Sequence, residues 1–148
     1  MKLKNLFFSI IAAAFLSSGI SVDKTHVIGK LAPKIETVSG TNVVADGNSE
    51  EKIQVISFWN PKKPLSRINT RNLSRQYGEN SKENVEFISI CTDSDENLMR
   101  EVMKVDGMNH DNNYSYSEVN PRVFKDYDVE KNPRAFMISA DGKIINVL

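Results

Sequence analysis

The chain has 148 residues, 40% hydrophobic and 26% charged, the balance of a globular protein of about one domain and not of a disordered chain. Its 19 basic and 19 acidic residues cancel, which excludes bulk-charge attraction to nucleic acid. One cysteine excludes a disulfide framework, a Cys-rich zinc site and an intramolecular dithiol cycle, and two histidines far apart give no basis for a metal centre. No cofactor is expected.

Residues 1–21 have the pattern of a secretory signal peptide. Lys2 and Lys4 form the positive start, Leu6 to Leu16 the apolar stretch, and Ser17, Ser18, Gly19 and Ser21 the small residues for cleavage. The apolar stretch is short for a bilayer span, which takes about 20 residues, so an uncleaved anchor is the lesser alternative. Residues 22–148 are expected to form one domain, exported to an oxidising space such as a periplasm. Loss of Lys2 and Lys4 with the leader leaves 17 basic residues against 19 acidic ones. His26 falls in the entry segment and is read as a linker residue.

The entry segment runs through Gly29 and Pro33. Lys34 to Val38 is compatible with a short strand, closed by a turn at Gly40, and Asn48 to Lys52 with a polar loop. Ile53 to Trp59, rich in β-branched and aromatic residues, predicts a buried strand, stopped by Asn60 and Pro61. Pro64 to Tyr77 predicts a helix with Pro64 in its first turn. Leu65, Ile68, Leu73 and Tyr77 would form its inner face, and Gly78 would end it. Val85 to Cys91 predicts a second central strand. Asp93 with Glu96 has capping-box spacing, and Leu98, Val102 and Val105, flanked by Met99 and Met103, give the strongest helical period, ending at Gly107. Met108 to Glu118 is a polar loop holding His110, with Tyr114 and Tyr116 as anchors. Asn120–Pro121 opens a short helix to Tyr127. Arg134 to Ser139 is a third strand, joined through the turn Asp141–Gly142 to a last strand, Lys143 to Val147. Strands separated by helices imply parallel pairing, and the last two an antiparallel hairpin. The expected class is α/β, a sandwich around a mixed sheet.

Two segments resemble thioredoxin-like proteins of the TlpA/ResA branch, related to the AhpC/TSA group. Val55 to Trp59, then Asn60 to Arg67, resembles the strand ending in Phe-Trp and the Cys-x-x-Cys-Arg turn into the first long helix. Tyr127 to Val129, Asn132–Pro133, Ala135 to Ile138 and Asp141 to Ile144 resemble Tyr-Gly-Val, the cis-proline, its strand and the Asp-Gly-Lys-Ile hairpin. Ile28 to Pro33 resembles the Gly-x-x-Ala-Pro opening. The resemblance covers nearly all of residues 27–147. It implies a thioredoxin-like sandwich, a cis bond before Pro133, and a helix after the last strand. The chain stops at Leu148, so an uncovered sheet face or the C-terminal strand is expected to serve partner docking or self-association.

The same resemblance puts Lys63 and Ser66 where the two cysteines stand. Neither performs dithiol exchange, and a lysine brings positive charge to the positive end of a helix. The expectation is therefore an exported module with no dithiol site and no catalytic residue. It would hold a protein or peptide of the cell envelope in a groove formed by Trp59, Asn60, Lys62, Lys63, Asn132, Pro133 and Arg134 through backbone pairing. The alternative is a thiol-dependent oxidoreductase or antioxidant protein using Cys91, whose plainer role is a buried apolar residue. Arg67, Arg71 and Arg75 would form a solvated stripe or, with Lys62 and Lys63, an anion site.

Overall fold

The computed structural model describes residues 27–44, 52–79, 84–108 and 111–148. The leader at 1–21, His26, His110 and most of the 48–52 loop lie outside the described residues.

The centre is the strand β1 (Ile53–Trp59), every residue of which beyond Ile53 is buried. A strand covered on both faces has a near-continuous apolar sequence, as this one does. Its one strong polar intruder, Gln54, is satisfied by the Val43 carbonyl at 3.0 Å and the Glu86 carboxylate at 2.8 Å. The expected second strand β2 (Val85–Cys91) pairs parallel to β1, with Trp59 opposite Cys91. Between them runs α1 (Pro64–Leu73), which continues as a π-helical turn, Ser74–Glu79.

After β2 comes α2 (Glu96–Asp106), then a two-residue strand β3 (Asn113–Tyr114) inside the segment expected to be loop. A 3₁₀ turn (Tyr116–Glu118) and α3 (Arg122–Asp126) lead to β4 (Ala135–Ile138) and β5 (Ile144–Val147). The sheet order is β3-β2-β1-β4-β5. β4 runs antiparallel to β1, so the parallel rule holds for β1 and β2 but not across this junction. The last two strands form the expected hairpin. Its loop spans three residues, since Ser139 pairs with Lys143 and Gly142 takes φ 79°, the geometry of a turn followed by a left-handed residue. Residues 34–38 make only single bridges, to Asn42 and Val119.

One sheet face packs Ile56, Phe58, Ile88, Ile90 and Phe136 against α3 and the entry segment. Phe58, Phe124, Tyr127 and Phe136 form an aromatic cluster there, with mostly tilted or edge-on rings. Tyr116 stacks on Phe124 at 4.8 Å. The other face packs against α1 and α2. Trp59 and Cys91 meet Met99 and Val102, while Val55 and Ala135 meet Leu73. Met137 and Leu148 are only half-buried at its end.

The two long helices dock differently from their predicted faces: in α2 Met99 and Val102 are buried, while Val105, expected on the same stripe, is 76% exposed. Leu65 and Ile68, expected inside, are 82% and 48% exposed. The inner positions of α1 are Thr70 and Leu73, followed by Ser74. Thr70 shares a buried hydrogen bond of 2.8 Å with Ser57 of β1, so a polar pair defines this interface. In α2 the N-cap is Asp95, whose carboxylate accepts from the Leu98 N–H at 3.0 Å, and not Asp93. Glu96 instead accepts the Ser115 and Ser117 hydroxyls. Gly107 ends α2 at φ 69°, a conformation that glycine adopts without a Cβ clash.

Candidate functional site

The corner between β1 and α1 is built by Asn60. Its side-chain oxygen accepts from the Lys62 N–H at 2.9 Å and its carbonyl from the Lys63 N–H at 3.0 Å. The Ser66 hydroxyl accepts from the Asn60 N–H at 2.9 Å, tying the first helical turn back to the strand end. Pro64 then starts the helix with a preset φ, behind Lys63 as a cap whose side chain makes no capping bond.

Lys63 reaches across the corner instead. Its ammonium donates to the Lys131 carbonyl. Phe58 N–H donates to the Arg134 carbonyl at 3.1 Å. These contacts bring the Lys131 carbonyl to the Lys63 ammonium and the Arg134 backbone alongside β1. Two predicted features differ. No peptide bond among the described residues is cis, so Asn132–Pro133 is trans. Trp59 turns its ring into the core, fully buried, and offers the corner only its carbonyl, which accepts from Thr92 N–H at 2.8 Å. Its position on a strand covered from both sides accounts for that.

The basic stripe is not simply solvated. Arg67 makes two hydrogen bonds to Asp106 at the end of α2, of 3.0 and 2.9 Å. Its guanidinium pKa is raised, chiefly by that hydrogen bond. Lys62 pairs with Asp93 at 3.0 Å. Burial works to raise the Asp93 pKa, but the Asp95 N–H and the Lys62 ammonium outweigh it and hold the carboxyl below its usual range. Two of the corner's cations are thus already neutralised, which removes them from a free anion site. The sequence carries no local sign of either pairing, because the partners lie 39 and 31 residues away.

Cys91 ends β2 with no exposed surface. Its thiol donates to the Asp93 carbonyl at 3.5 Å. Burial pushes its pKa up to about 11, opposite to the depression that activates a thiol. Among the described residues no group of acidic, histidine and cysteine side chains is arranged to hold a metal ion, and no helix is long and apolar enough to cross a membrane.

The strand-corner-helix unit, the mixed sheet and the C-terminal hairpin define a thioredoxin-like fold. Residues 28–147 match the profile of the AhpC/TSA family, and the chain belongs to that family. Among solved structures it is similar to the thioredoxin domain of a thiol-disulfide oxidoreductase from Bacteroides vulgatus, at 19% identity and a TM-score of 0.63, covering 81% of this chain and 86% of that one. A thioredoxin-like protein from Parabacteroides distasonis aligns at 24% identity and a TM-score of 0.62, covering 81% and 85%. A secreted disulfide oxidoreductase from Mycobacterium tuberculosis aligns at 23% identity and a TM-score of 0.56, covering 76% and 80%. No curated protein matches the chain.

Proposed function

We propose that this chain is an exported thioredoxin-like protein that works without a dithiol site, as a binding or accessory module for proteins or peptides of the cell envelope. The observation that carries the reading is the occupancy of the corner. An ammonium and a hydroxyl stand at residues 63 and 66, and both are engaged in holding the corner together. Neither group forms or breaks a disulfide. The single thiol supports the same reading, because it is buried and held protonated at neutral pH. An extended peptide would lie beside residues 131–134, displacing the Lys63 ammonium from the Lys131 carbonyl. Export rests on the leader pattern of residues 1–21.

Two measurements test this. The purified chain should reduce insulin no faster than background, and Lys63→Cys/Ser66→Cys should form an internal disulfide and gain turnover. Cys91-dependent turnover in the native chain would overturn the reading. Extended peptides should shift amide resonances of residues 60–66 and 131–134. A peptide panel that leaves those resonances unmoved would remove the binding role.

A further inference from the structure

The outer face of α1 serves neither the core nor the corner. At about 100° per residue, Ile68 lies opposite the midpoint of the buried pair Thr70 and Leu73, at the crown of the helix. Leu65, one turn before it, shares that face. Ile68 is 48% exposed and Leu65 82%. Apolar residues scattered singly over a surface are ordinary, whereas neighbouring ones rimmed by charge mark a docking surface.

The rim here has one sign. Residues 53–78 hold Lys62, Lys63, Arg67, Arg71 and Arg75 and no acid. Asp93 and Asp106, from other elements, answer Lys62 and Arg67. Arg71, one turn beyond Ile68, makes no ion pair with a described residue, and Arg75 is exposed. The apolar pair therefore sits between cations at both ends of the ridge, Lys62 and Lys63 before it and Arg71 and Arg75 after it.

This pattern selects the occupant. A second copy laid α1 against α1 would set cations on cations with no acid between residues 53 and 78 to relieve them. A small molecule needs a concave site, and this surface is a convex ridge. Such a ridge fits a flat, deformable, anionic surface. Its hydrocarbon side chains enter the acyl boundary while the cations stay at the level of the headgroup phosphates.

We propose that α1 is a membrane-contact helix that lays its outer face on anionic phospholipid, with Leu65 and Ile68 inserted and Arg71 and Arg75 at the phosphates. The contact is separate from the peptide groove beside residues 131–134 and does not depend on it. Two apolar side chains and a few charges make it weak and reversible, as even a single acyl chain is.

The test follows tryptophan emission of the full-length Leu65→Trp variant as vesicles are added. The leader pattern at 1–21 is apolar enough to reach lipid by itself, so the probe has to report on residue 65. The native Trp59 is fully buried and gives a fixed background. Phosphatidylglycerol vesicles should shift the emission to shorter wavelength and saturate it. Phosphatidylcholine vesicles should need about tenfold more lipid or beyond, and added salt should loosen the anionic contact. On the same background, Arg71→Gln/Arg75→Gln should weaken binding by about tenfold or more, and Arg71→Lys/Arg75→Lys should retain it. Ile68→Ser, at an exposed position, should weaken it severalfold and keeps the test decisive if the glutamine pair fails to fold. Emission unmoved by phosphatidylglycerol, even where the chain sediments with the vesicles, would overturn the assignment and leave the face to an acidic protein. Equal affinity for the two lipids, or a folded glutamine pair that binds unchanged, would overturn it too.

Discussion

α1 and α2 lie on the same face of the sheet, but different forces hold them. α2 presents Met99 and Val102 to Trp59 and Cys91 and docks by apolar burial. α1 presents Thr70 and Leu73, with Ser74 just beyond its end, and turns Leu65 and Ile68 outward. Its position depends on directional contacts: Ser66 to Asn60, Thr70 to Ser57, and Arg67 to Asp106. Apolar contact fixes how deep a helix sits but tolerates sliding, whereas hydrogen bonds fix its register. The helix that carries the corner is therefore the one located by register-setting bonds.

The contrast can be broken from either side. Met99→Ala should produce the largest loss, about 2–4 kcal/mol in urea unfolding, since it leaves a cavity beneath α2. Asp106→Ala strands a half-buried guanidinium and should cost about 1–3 kcal/mol, with resonance shifts concentrated in α1. Ser57→Ala should cost about 1–2 kcal/mol by leaving the Thr70 hydroxyl unpaired, and Ser57→Ala/Thr70→Val should recover most of it. An additive double variant would show that this bond does not locate α1.

Acidification should give the smallest effect. The folded-state pKa of Asp93 is depressed, so its contribution is present above the unfolded value of about 3.9 and is lost as pH falls through the folded one. Because Lys62 is largely exposed, Lys62→Ala should remove less than about 1 kcal/mol at pH 7 and still less at pH 2.5.

The same contrast governs what could be read from residues alone. α2 was legible as a helix from its apolar spacing, but Met99 takes the inner place beside Val102, and Val105 of the expected stripe turns outward. α1 was legible as a helix and Leu73 and Tyr77 as inward residues, but the rest of its facing was not, because Thr70 and Ser74 carry no apolar signal and Leu65 and Ile68 carry a misleading one. β1 and β2 announced themselves as continuous apolar runs, whereas β3 has only two residues and exists by pairing with β2. That Lys63 and Ser66 lie where β1 turns into α1 followed from the order of motifs. The Arg67–Asp106 and Lys62–Asp93 pairs did not, since only the folded sheet brings their partners together. Asp128 was visible as a departure from Tyr-Gly-Val, but its ion pair with Arg134 needed the structure.

The outer border of β5 has a consequence for solubility. Ile144 already spends its N–H and carbonyl on Lys30 and Gly29, and the Asn146 side chain accepts the Val147 N–H at 2.9 Å. Exposed strand borders template fibrils by offering such groups to a neighbour. Here a stacking molecule would first have to strip off residues 29–30 and the Asn146 amide, so the entry segment acts as a built-in guard against amyloid-like growth from this border.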